Sequence, residues 1–469
     1  MRALSGNPTK ASFTPAFSQA PAIVTAIQLP GPTLSREVAT DGVESRTLRI
    51  GVLYPSGWGN LGDEAILQAT FGSLRQRWPN AILRAFTLHP ARTAANHGVE
   101  AEPLTGVTRP LFGAPLGEGP FVVRAVRAAA YRTRNVPLVG SFAERASNLF
   151  AGFIFETISL RSAWRWIRSA DLLLASGGGQ LDDVWGGAWG QPYALARWAW
   201  LARRARVPFA FLSVGYGGAS TWLSRRFLRY AVNSAAYCSV RDAGSRTMTR
   251  SLGVKRELPV VPDLAFSLAA PNRLPPRRPG HDVGISPMVY LRPGSWPVAD
   301  KNAYDRLVEL WTEVVTSTVS RGDRVHLFVS NPSDMAAVND IWANLSDDTR
   351  SACTIESADS PQALLDVFRR LDVIVSSRLH GVLLAIVAAV PVVGLAHERK
   401  VAAVMSDAGV SEFCLDLKGA SAEQINRLLG GLTDQLEPCA DRLREYVDTA
   451  NTAVREQSEM LPHLLKGRS

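Results

Sequence analysis

The sequence predicts an α/β protein of two Rossmann-like domains with parallel sheets, facing one another across a central cleft. Two observations carry that expectation. Short apolar runs rich in Val, Ile and Leu alternate with helical patterns, the rhythm of parallel strands covered by helices on both faces. The rhythm stops at a proline- and arginine-rich stretch, Pro271 to Asp282, and then starts again.

Residues 1–46 are rich in Ser, Thr, Pro, Ala and Gly, lack periodicity, and read as a disordered tail. Order begins with the strand "TLRIGVLYP". A glycine-rich turn follows, then a helix whose apolar face is Ile66, Leu67, Phe71 and Leu74. "NAILRAFTLHP" is a second strand. From about residue 107 to 168 the alternation is lost in a basic, aromatic insertion. It resumes with the strand "ADLLLAS", the helix "PYALARWAWLARRAR" and the strand "VPFAFLSV". The helix "LSRRFLRYAVNSAA", the strand "YCSV", the helix "AGSRTMTRSLG" and the strand "PVVPDLAFSL" complete the first half. Beyond the linker "VGISPMVY", "RVHLFVSN", "CTIES", "VIVSS" and "PVVGL" are strands, with helices near 302–320, 333–345, 361–370 and 382–389. The expected divisions are a first domain over 47–268, a linker over 269–282, a second domain over 283–432, and a C-terminal helix and tail over 433–469.

A chain of 469 residues, 46% hydrophobic and 20% charged, can bury two cores. Its net charge of +9 points to anionic partners. Nucleic acid is not expected among them, because the basic residues form no recognised module and are partly confined to the insertion. Four scattered cysteines fit reduced, structural thiols, and the seven histidines show no metal-ligand spacing, so neither metal nor cofactor is expected. The longest apolar run, Val382 to Ala396, is broken by Pro391 and is too short to cross a membrane. The N-terminus shows no apolar signal core, and a cytoplasmic location is expected. Between Phe121 and Arg168 eight arginines face two glutamates, interleaved with aromatics. A solvated helical face is the commoner reading of such a pattern. Peripheral contact with the inner face of a membrane through 121–168 is the sharper one.

In open parallel sheets ligands bind at the carboxyl ends of strands, so the loops there are the candidates for chemistry. "SSRLHG" (Ser376 to Gly381) ends a buried strand and opens a helix; its N–H groups and Arg378 suit a phosphate or carboxylate. Arg378 paired to a structural carboxylate, with His380 as a helix cap, is an equally fair reading. "GWGNLGDEAI" is the matching turn of the first half, with Asn60, Asp63 and Glu64 at the helix start, where carboxylates also simply complement the dipole. "SGGGQLDD" brings Gly178, Asp182 and Asp183; "SVGYGG" is a fourth turn. "SVRDAGSRT" is the fifth, with Arg241 at a strand end and Asp242 as N-cap.

"GNLGDEAI", "SGGGQLDD", "SVRDAGS", "PDLAF" and "SSRLHGVLLAIVAAVPVVGL", in this order, resemble the polysaccharide pyruvyl transferase family over roughly residues 48–415. No one motif is specific; the ordered set is. One departure stands in "AHERK", where the family has an aromatic residue before a lysine and this chain has His397, with Lys400 retained. The resemblance implies a GT-B-like pair of domains that moves a pyruvyl group from phosphoenolpyruvate, the co-substrate, onto hydroxyls of a glycan or lipid-linked saccharide. It implies donor binding by Arg241, Arg378, Leu379 and His380. His380 is the expected general acid, because an ordinary histidine donates a proton near neutrality. Asp63, Asp182 and Asp183 are candidate bases, and Asn60, Gly178, Asp182, Asp183 and Lys400 candidate acceptor or loop contacts. Two rival expectations remain on the same fold: a nucleotide-sugar glycosyltransferase, or a non-catalytic glycan-binding member of the family.

Overall fold

Apolar runs of four to six residues form the centres of two parallel sheets. The computed structural model describes residues 47–57, 59–106, 139–184, 186–268, 280–296 and 299–465, excepting the side chains of 139–149 and 151. The expected tail over 1–46, the stretch 107–138 and residues 269–279 of the expected linker lie outside them.

The first sheet contains β1 (Arg49–Leu53), β2 (Ile82–Thr87), β3 (Glu100–Pro103), β4 (Leu172–Ser176), β6 (Phe209–Val214) and β8 (Tyr237–Val240). β5 (Leu181–Asp182) and β7 (Tyr216–Gly218) pair separately beside it. The second sheet contains β9 (Asp282–Ser286), β10 (Arg324–Leu327), β11 (Cys353–Ile355), β12 (Val373–Ser376), β13 (Val392–Ala396) and β14 (Cys414–Asp416). The orders are β3-β2-β1-β4-β6-β8 and β11-β10-β9-β12-β13-β14, and every pairing is parallel. In each sheet the order in which successive strands are added therefore reverses once, between β1 and β4 and between β9 and β12. The crevice beyond such a switch point is where this fold binds ligands.

The helices of the first half are α1 (Leu61–Arg77), α2 (Pro90–His97), α3 (Val139–Ile167), α4 (Gln191–Ala205), α5 (Trp222–Ser234) and α6 (Ala243–Ser251). Those of the second are α7 (Lys301–Ser320), α8 (Met335–Asn344), α9 (Asp347–Ser351), α10 (Pro361–Phe368), α11 (Leu379–Val387), α12 (Arg399–Asp407) and α13 (Ala422–Thr433). α14 (Leu436–Glu459) and α15 (Leu461–Leu465) end the chain. Part of the expected insertion is thus one helix, α3, of 29 residues. Among the described residues no helix is long and apolar enough to cross a membrane.

"PVVPDLAFSL" is not the strand its apolar content predicts. Pro259 and Pro262 have no N–H for a ladder, so only Val260 bridges Val240. Leu264–Ser267 closes into a 3₁₀ turn instead, with Asp263 accepting from the N–H of Ala265 at 3.1 Å. The turn packs on α1 and α14, and one apolar cluster runs from Ile50 and Phe71 through Phe266 to Val375 and Leu429. The N–H of Leu61, at the start of α1, donates across to the carbonyl of Ser330 at 2.8 Å. α14 returns to the first half, where Gln457 bonds Ser213, Ser239 and Tyr237.

Candidate active site

The two helix N-termini at the switch points, α1 and α11, meet. Gly62 and His380 touch so closely that a Cβ on residue 62 would fall 1.8 Å from the imidazole. Asn60 caps α1 by accepting from the N–H of Gly62 at 3.1 Å. One residue on, Asp63 accepts from the Tyr54 hydroxyl at 2.9 Å. Burial pushes its carboxyl up to about 7, against the Tyr54 hydrogen bond and with Glu64 adding repulsion. The glycine loop after β4 serves Tyr54: a Cβ on Gly178, at φ +64°, would come within 2.2 Å of its hydroxyl.

β8 delivers Arg241 beneath this pair. Its side chain is 8% exposed, with Nε 3.4 Å from Asp242 and Nη1 3.5 Å from Asp263. Nη2 is buried and has no hydrogen-bond partner, nor has Oδ2 of Asp263 or Nε2 of His380. Arg241, Asp263, Leu379 and Lys400 line a small, partly open pocket. His380 is drawn down to about 4, first by burial and then by Arg241, Lys400 and Arg378, with Asp263 opposing. Burial and the neighbouring cations thus favour its neutral imidazole over the charged form an ordinary histidine reaches just below neutrality.

Arg378 takes the second of its two expected arrangements. It grips the fully buried Asp334 at two points, 2.6 and 2.7 Å, and lies 5.9 Å over the Trp296 ring. Asp334 is further held by the N–H of Val289 at 3.0 Å. Two of the three nitrogens of the fork, Nε and Nη2, are thus held by a buried carboxylate.

Asp182, on β5, stands opposite Lys400 from the other half. Burial raises it to about 6, with Lys400 pulling it back. Lys400 lies 3.3 Å from Glu398, which is brought down to about 2, chiefly by hydrogen bonding to His397. Asp183 turns away: the N–H and hydroxyl of Ser220 both donate to it at 2.8 Å. Burial would raise it, but Ser224 and Ser220 bring it below the usual carboxylate range, and it braces a loop.

The structure therefore gathers Asn60, Asp63, Gly178, Asp182, Arg241, Leu379, His380 and Lys400 at one crevice and commits Arg378 and Asp183 to the scaffold. Sequence reasoning missed three participants: Tyr54, Asp263 and Asp334. Asp263 had a signal, its place in "PDLAF", that the strand reading of the segment obscured. Tyr54 is the last residue of a strand run, and Asp334 sits in an unremarkable "NPSD".

Parallel sheets with one change of strand order each, joined at the carboxyl ends of their strands around a charged crevice, define a two-domain α/β protein of GT-B-like build. Its structural relatives agree. The UDP-GlcNAc 2-epimerase of Neisseria meningitidis bound to UDP-GlcNAc is 11% identical, with a TM-score of 0.51 over 89% of this chain and all of that one. HepE of Anabaena in complex with UDP is 14% identical, with a TM-score of 0.50 over 89% of this chain and 100% of that one. A glycosyltransferase from Rickettsia africae is 10% identical, with a TM-score of 0.50 over 90% and 100%. No curated protein matches the chain. The model of the polysaccharide pyruvyl transferase family matches residues 60–399. The chain belongs to that family, and is a transferase acting on polysaccharide.

Proposed function

We propose that the crevice transfers the pyruvyl group of phosphoenolpyruvate to two hydroxyls of a saccharide, forming a pyruvate ketal during exopolysaccharide or cell-surface polysaccharide synthesis. The observation that carries this reading is that Nη2 of Arg241 and Nε2 of His380 are both buried without a hydrogen-bond partner, close enough for the guanidinium to act on the imidazole. Unsatisfied polar groups of this kind are costly and mark a place for a ligand. A small molecule carrying a phosphate and a carboxylate meets Arg241, Lys400 and the free N–H groups opening α11. Arg378 then positions the loop through Asp334 and does not itself grip the donor.

The roles of the acid and the base follow from the two shifted groups. Asp63, raised to about 7, still carries a proton near neutrality and gives it to the methylene carbon, which becomes a methyl group. The neighbouring carbon gains oxocarbenium character and is attacked by the first hydroxyl, whose proton passes to neutral His380 and from it back to Asp63, restoring both groups. Phosphate leaves with its bonding electrons, and the second hydroxyl closes the ketal, its proton leaving with phosphate. The acceptor lies toward Asp182 and Lys400.

Calorimetry with phosphoenolpyruvate and phosphate release with a glycan acceptor test this. Arg241→Gln abolishes measurable donor binding, whereas Asp63→Asn and His380→Ala retain it and lose turnover by on the order of 100-fold or more. A native protein that ignores phosphoenolpyruvate and binds a nucleotide-sugar overturns the reading.

A further inference from the structure

Apart from the crevice, the described residues form an open groove of about 1060 Å³ on the first half, framed by α4 and α5 with Leu160 of α3 at one side. Arg203, Arg225, Arg226 and Arg229 line it with Trp200 and Trp222, and no Asp or Glu is among its lining residues. A fifth lining arginine, Arg197, is buried against Glu156 at 2.7 Å. The other four are exposed and form no ion pair with a described residue. Trp222 is 75% exposed and Trp200 46%. Phe153, seven residues before Leu160 and so on the same face of α3, is 70% exposed.

We propose that this groove docks the protein on an anionic lipid bilayer. Uncompensated arginines are drawn to a negative lipid surface, and tryptophans settle at the boundary between headgroups and hydrocarbon. Charge excludes the nearest alternative within the chain. The stretch 107–138 has five arginines and one glutamate, and would add to the groove's charge rather than neutralise it. Phe153 and Leu160 suit hydrocarbon and offer nothing to a nucleic-acid backbone. The site also lies near the crevice. Trp222 follows Ser220 by two residues, and Ser220 holds Asp183, next to the crevice residue Asp182. That short link keeps the groove close to the crevice, so a saccharide on a lipid anchor would be presented near Asp182. The inference holds whatever the donor is.

Co-sedimentation of the full chain with vesicles of equal parts phosphatidylcholine and phosphatidylglycerol, against phosphatidylcholine alone, tests it. The native protein partitions to the anionic vesicles and is released as salt rises. Replacing Arg203, Arg226 and Arg229 together by Gln lowers partitioning on the order of 100-fold, with the unfolding midpoint unchanged because all three are exposed. Trp200→Ala with Trp222→Ala lowers it several-fold at every salt concentration. Equal partitioning to both vesicles, or native partitioning by the arginine variant, overturns the proposal. So does loss with the arginine variant but none with the tryptophan variant, which marks a general polyanion site.

Discussion

Arg378 and Asp334 are joined at two points, Nε to Oδ2 at 2.6 Å and Nη2 to Oδ1 at 2.7 Å, with the aspartate wholly out of solvent. Arg378→Ala leaves that carboxylate buried without its cation, a loss of roughly 3–5 kcal/mol. Asp334→Asn in the same chain restores part of it, because the buried charge is gone. Urea unfolding of the single and double variants checks both. An Arg378→Ala protein of native stability would mean the pair supports nothing.

The contact of Gly62 with His380 makes a second prediction. Alanine is a better helix former than glycine by about 1 kcal/mol. Here the methyl group would overlap the imidazole, and overpacking costs about 1–3 kcal/mol. Gly62→Ala is therefore destabilising in the native background and stabilising in a His380→Ala background. The double-mutant cycle reads the coupling directly.

The two shifted groups pull stability in opposite directions with pH. Asp63 titrates near 7 in the folded chain against an ordinary 3.8, so folding favours its protonated form and stability falls as pH rises from about 4 to 7. His380 is lowered from 6.5 to about 4, so folding favours its neutral form and stability is gained as pH rises through about 4 to 6.5. Asp63→Asn should steepen the rise toward neutrality, and His380→Ala should steepen the fall. Melting temperatures across that range decide; parallel curves for all three proteins refute both assignments.

Gln457 reaches from α14 to the hydroxyls of Ser213, Ser239 and Tyr237. Gln457→Leu leaves the buried Ser213 and Ser239 short of a partner and costs about 1–3 kcal/mol, visible in urea melts. A variant as stable as the native chain would show that water replaces the amide.

The sheets were legible because buried parallel strands are written as short continuous runs of Val, Ile and Leu, as in "VIVS" and "FAFLSV". "PVVPDLAFSL" has the same composition and failed, since two prolines deny the ladder its donors. The loops carrying Asp63, Arg241 and His380 were legible from their place after strands. What each does was not, because a pKa is set by groups far off in sequence: Asp263 and Lys400 for His380, Tyr54 for Asp63. The capture of Arg378 by Asp334 spans 44 residues, and no local pattern announces it.

The return of α14 has a consequence for how the molecule is made. Ser213 and Gln457 are 244 residues apart, so the buried Ser213 hydroxyl lacks the Gln457 amide until that much more chain has been synthesised. At about 5–20 residues per second the ribosome takes on the order of 10–50 s to cover that interval. Throughout it the first half is a nascent domain lacking its last helix. Its final locking is a late, long-range event that waits on α14 and not only on the completion of the first sheet.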